Sequence, residues 1–112
     1  LLAEFNLPIE KEKKIINCIE AHHKDVPFIC KEAEICANAD CYRFILPQNV
    51  FEFISDLRKE EMSLEKAINF AYFKLEEKHD ILSLDICKIE LEEYYQMFKK
   101  MLEACNAKPE GR

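Results

Sequence analysis

Apolar and polar positions follow a helical period along almost the whole chain, and five segments carry it. From about Ile9 to His23, residues Ile15, Cys18, Ile19 and His22 fall at i, i+3, i+4 and i+7, which puts them on one face of an amphipathic helix. Pro27 breaks the chain after it. A second helix is predicted from about Lys31 to Ile45, stopped by Pro47, with Ala33, Cys36, Ala37, Asp40 and Phe44 in one stripe. A third, from about Gln48 to Glu60, presents Val50, Phe53, Ile54 and Leu57. The fourth starts after Ser63, a good N-cap with Glu65 in the first turn, and is expected to bury Leu64, Ala67, Ile68, Ala71 and Leu75. Ser83 is the expected cap of a fifth, in which Leu84, Cys87, Leu91, Tyr94, Phe98, Met101 and Cys105 alternate spacings of three and four, as in a heptad. With no repeat, linker or low-complexity stretch, the pattern predicts an all-α chain. It forms a single helical domain of about five helices over residues 1–112, with 106–112, which hold Pro109 and Gly111, as a frayed tail.

Composition narrows what such a domain can do. A chain of 112 residues supports one hydrophobic core. It opens Leu1-Leu2-Ala3-Glu4-Phe5, with no Met and no basic segment before an apolar run, so no signal peptide is expected; those residues read as the last turn of a helix that begins upstream. Gly111 is the sole glycine, which excludes loops that wrap their backbone around a phosphate. The net charge of −6, with Lys and Arg scattered among Glu, argues against long nucleic acid as a partner. The longest uncharged stretch, Phe44 to Phe51, falls far short of the ~20 apolar residues that a bilayer requires. Cys18, Cys36, Cys87 and Cys105 lie inside helical patterns, so the expectation is buried free thiols in a reducing compartment, the cytoplasm.

Asp40 interrupts an apolar stripe, and a buried carboxylate must be paired, protonated or bound to a cation. An ion pair with Arg43 or a lysine is the ordinary explanation. Metal ligation is the other, because His22 and His23 end the first helix and a short loop leads back to the helix that bears Asp40. Imidazole with carboxylate suits divalent Zn, Fe, Mn and similar ions. A zinc cluster of His22, His23, Cys30 and Cys36 is a further possibility, although it lacks any Cys-x-x-Cys pair.

Taken together, Ile15-Ile16-Asn17-Cys18-Ile19-Glu20-Ala21-His22-His23-Lys24-Asp25-Val26-Pro27 and Glu32-Ala33-Glu34-Ile35-Cys36-Ala37-Asn38-Ala39-Asp40 resemble the second half of the HD superfamily of metal-dependent phosphohydrolases. The likeness continues more loosely through Lys74-Leu75 and the fifth helix. It implies an HD-like helical domain in which Asp40, His22 and His23 are metal ligands and the cofactor is a divalent ion: Mn, Fe, Zn, Ni or Mg. It implies hydrolysis of a small phosphorylated substrate, nucleotide-like in kind, by a metal-activated water. Lys24 and Arg43 are the candidate phosphate contacts.

The chain departs from that pattern in several places. The histidine and the later His-Asp pair that precede this region in the family have no counterpart before Leu1, so the chain is expected to carry only part of the metal site and to be inactive alone. His79-Asp80 lies downstream of Asp40, where the family has no ligand, and reads as a helix-end pair. Asn38 stands where many relatives have aspartate, and Cys41 where a basic residue is frequent. The alternative function is a non-catalytic helical interaction module that binds a partner or a second copy through the last helix.

Overall fold

In a computed structural model, residues 2–23 and 25–109 are described, Leu2 and Ala3 by their backbone. A 3-10 turn at Leu2–Phe5 leads into α1 (Ile9–Glu20), α2 (Lys31–Ile45), α3 (Pro47–Lys59), α4 (Leu64–Ile81) and α5 (Asp85–Ala104). Among the described residues the secondary structure is helical throughout, with no strand. Each boundary has a local cause. Pro47 sits at the first turn of α3, where its missing N–H costs nothing, while Leu46 in extended conformation separates α2 from α3. The Ser63 hydroxyl accepts from the Lys66 N–H at 3.2 Å and starts α4. α1 ends at Glu20, so His22 and His23 lie in the turn after the helix rather than on it.

The centre of the fold is α2 against α4. α2 also packs on α1, α3 and α5, and α4 on α3 and α5, whereas α1 packs mainly on α2. Ile45, Val50, Leu75 and Leu91 are the large apolar side chains sealed completely at this junction, with Phe44, Tyr95, Phe98 and Leu102 around them. Burying each such side chain contributes about 1.5–3 kcal/mol. α1 stands apart, since Asn17 is its one buried residue while Ile9, Ile16 and Ile19 are exposed.

Several expected positions are rotated. On α2 the inward residues are Ala33, Ala37, Asn38, Cys41, Phe44 and Ile45, leaving Cys36 exposed and Asp40 on the flank. Leu64 is exposed at the start of α4, before the helix reaches its neighbours. On α5 the inward stripe is Cys87, Leu91, Tyr95, Phe98 and Leu102, so the expected seam holds at Cys87, Leu91 and Phe98, while Tyr95 and Leu102 replace Tyr94 and Met101, and Met101 and Cys105 face solvent. All six cysteines are free thiols, but of Cys18, Cys36, Cys87 and Cys105 only Cys87 is buried; the fully buried thiol is Cys41. The end of the chain is held further than expected, because the Lys108 N–H donates to Asn69 Oδ1 at 2.9 Å; residues 110–112 lie outside the described residues.

Ser83 is not the side-chain cap of α5. Asn38, fully buried on α2, instead holds the two residues that lead into α5: its Oδ1 accepts from the N–H groups of Ser83 (2.9 Å) and Leu84 (3.1 Å). Its amide donates to Glu34 O at 2.8 Å and to Ser83 Oγ at 2.9 Å, and that hydroxyl donates to Glu34 Oε2. A carboxylate at 38 could accept the first two bonds and could not donate the others. Asparagine at position 38 thus has a structural reason of its own.

Candidate functional site

Asn17, the one buried residue of α1, anchors the loop that follows the histidine turn. Its side-chain amide donates to Pro27 O at 2.9 Å, and its Oδ1 accepts from the Ile29 N–H at 2.9 Å. The loop after α1 is therefore tied back to the helix at Pro27 and Ile29, a few residues beyond His22 and His23. His22 Nδ1 is hydrogen-bonded to Ile19 O, and the two imidazole rings lie 4.0 Å apart at 39°.

Opposite this turn, one helical face of α2 presents Asp40 and Arg43, and α4 presents Lys74, Glu77 and Lys78. These residues, His22, His23 and Phe44 line one open groove of about 280 Å³. The three candidate ligands and Arg43 thus line the same groove. Lys24, the other expected phosphate contact, lies outside the described residues.

The groove is organised around the ion pairing expected of Asp40, with Lys78 as the lysine, a residue the sequence does not single out. Lys78 Nζ sits 2.8 Å from Asp40 Oδ2, and Arg43 Nη1 3.6 Å from Oδ1. Lys78 is nearly buried, with 12% of its side chain exposed, while Arg43 is 84% exposed; the first contact dominates. Burial pushes the Asp40 carboxyl upward, but the hydrogen bond and charge of Lys78, helped by His22 and Arg43, outweigh it and hold the carboxyl below its ordinary value. Lys74 pairs with Glu77 at 3.3 Å. Three cations and two imidazoles against two carboxylates make the groove receptive to an anion.

As a metal site the arrangement is incomplete. Among the described residues, no group of three or more His, Cys, Asp and Glu side chains is placed to hold an ion, and the Asp40 carboxylate is already engaged by Lys78. The thiols of Cys30 and Cys36 do not join the histidines in a zinc cluster either. His79 is used elsewhere: its ring stacks on Tyr95 at 3.5 Å and 9°, and Nε2 lies 3.1 Å from Glu92 Oε2, which ties α4 to α5.

Lys78 and Asn17 are what sequence reasoning missed. Lys78 had a signal, its spacing of four from Lys74 on α4, which places both ammonium groups on one face. Asn17 had none beyond being polar inside an apolar helix. Comparisons with protein-family models, with curated proteins and with solved structures find no match to this chain.

Proposed function

We propose that the groove is the phosphate-facing part of a metal-dependent phosphohydrolase site of HD type, to which this chain contributes some of the ligands. The observation that supports the reading is the meeting of His22, His23 and Asp40 in one groove beside Arg43, Lys74 and Lys78. The cations would offset the charge of a small phosphate ester, nucleotide-like in kind, and the imidazoles lie on the rim where a proton could be exchanged. The residues described do not fit a complete ion site, so the reading requires further ligands from outside these 112 residues. The test is made on the protein extended upstream of Leu1. A His and a later His-Asp pair should be encoded there, and the extended protein should carry divalent ion and phosphatase activity that Asp40→Ala removes. Unchanged metal content and activity in a folded Asp40→Ala variant would overturn the assignment.

A second reading, a non-catalytic helical interaction module, draws on two observations. Lys78 already compensates Asp40, so no cation is needed for charge balance, and Ile86 and Ile89 on the outer face of α5 are 73% and 78% exposed. Concentration-dependent association measured by ultracentrifugation, weakened by Ile89→Glu and accompanied by no metal uptake, is the outcome this reading expects.

A further inference from the structure

A second hollow, of about 270 Å³, lies where the loop after α1 meets the turn that joins α4 to α5. Val26, Pro27 and Phe28 form one wall and Ile81, Leu82 and Ser83 the other, with the buried Ala21 also in the lining. Each wall is held by a buried asparagine. The Asn17 amide donates to Pro27 O and its Oδ1 accepts from the Ile29 N–H, both at 2.9 Å. Asn38 accepts from the Ser83 N–H and donates to the Ser83 hydroxyl, again both at 2.9 Å. Walls tied in this way are formed in advance, so a ligand that enters has little left to order. His23 lines this hollow and also the groove that holds Asp40, Arg43 and Lys78, so the two adjoin at that residue.

We propose that the hollow is the subsite for the organic part of a phosphate monoester, a flat and largely apolar ring of aryl or heterocyclic kind, whose phosphate occupies the groove. The inference rests on the reading of the groove as an anion site and adds what the anion is attached to. Charge sets the orientation. Lys78 and Lys74 have carboxylate partners in Asp40 and Glu77, so Arg43, with 84% of its side chain exposed, is the cation that turns to the phosphate. In the hollow, Asp80 supplies a carboxylate beside walls that are mainly apolar, which disfavours the phosphate there and suits a neutral ring.

Size agrees with a ligand in two parts. At about 280 Å³ and 270 Å³ the groove and the hollow each fall below the roughly 300–1,000 Å³ of small-molecule sites, whereas the two together fall within it. A cavity of about 150 Å³ lodges a benzene ring, so the hollow has room for one ring. An imidazole at the junction serves both parts, since its N–H can bond a phosphate oxygen and its face can rest against the ring. His23 is therefore the residue expected to touch the ester on both sides of its oxygen.

The 112-residue chain is titrated in metal-free buffer with phenyl phosphate and with methyl phosphate, which carries the same phosphate and no ring, and backbone amide shifts are followed by NMR. Phenyl phosphate should bind at least tenfold more tightly. Both esters should shift the amides of Arg43 and Lys78, and phenyl phosphate alone those of Val26, Phe28 and Ser83. Arg43→Ala should weaken both esters by the same factor. Val26→Trp, which fills the hollow from a loop position, should bring phenyl phosphate down to the affinity of methyl phosphate; if that variant does not fold, the amide map of the unaltered chain decides the matter. Equal affinity for the two esters, phenyl phosphate shifts confined to the groove, or a folded Val26→Trp variant that keeps the preference for the ring would overturn the proposal and leave the anion reading of the groove standing. No shift at Arg43 and Lys78 with either ester would overturn both.

Discussion

The Lys78–Asp40 pair is where charge and stability are coupled. The folded-state carboxyl is held below its ordinary value of 3.8, so its stabilising contribution is complete above that value and disappears as pH falls through the lower folded-state value. Lys78→Met removes the partner that lowers it. The variant should be less stable than wild type at neutral pH, and the gap in denaturant midpoint should narrow as pH drops below 3.8. A gap that is constant with pH would mean that Lys78 contributes by packing and not by charge. Asn17 allows a cleaner substitution, because Asn17→Ala breaks two hydrogen bonds without changing charge. A loss of roughly 1–3 kcal/mol is expected, with faster amide exchange at Ile29 than at any residue inside α4.

At the level of elements, boundaries were legible where backbone chemistry sets them. Pro47 and Ser63 mark the starts of α3 and α4, and the Lys31–Ile45 span of α2 follows from the prolines on either side. Facing was less legible. The heptad assigned to α5 holds at Cys87, Leu91 and Phe98 and fails at Tyr94 and Met101, because the observed inward spacings of four, four, three and four average more than the roughly 3.5 residues of a supercoiled seam. Tyr94 and Met101 therefore yield their places to Tyr95 and Leu102, and Tyr95 gains bonds no periodicity could foretell, with its hydroxyl donating to Glu76 at 2.8 Å. This register is tested by a pair of substitutions: Leu102→Ala should cost about 2 kcal/mol or more, whereas Met101→Ala should change stability by less than about 0.5 kcal/mol. Equal losses would contradict the slipped register.

For the molecule as a whole, the radius of gyration is 16.2 Å, against about 13 Å for a compact domain of this length. The excess reflects extents of 50 × 33 × 22 Å, with α1 resting mainly on α2. Sequence periodicity counts apolar stripes but does not say whether a partner surface exists for each one. That is why Ile19, placed on an apolar face by its spacing, is 61% exposed. The same limit hid Lys78: the residue that neutralises Asp40 comes from 38 positions away, on a helix whose own pattern never refers to it. The histidine turn and Asp40 do line a common groove, since a helix, a proline loop and a returning helix leave few other geometries.

The clamp made by Asn38 also bears on the order of folding events. Its bonds to Ser83 and Leu84 join positions 45 and 46 residues apart. Local helix formation in α2, α4 and α5 gains nothing from them until the three helices have docked, and loop-closure entropy favours contacts nearer in sequence first. The clamp should thus form on the native side of the folding barrier. Asn38→Ala would leave two backbone donors without their acceptor, at a cost of about 3 kcal/mol. Stopped-flow measurements should find that loss almost entirely as faster unfolding, on the order of a hundredfold, with the refolding rate nearly unchanged. A residue buried to complete a turn would then act mainly as the latch that sets how long the folded state lasts.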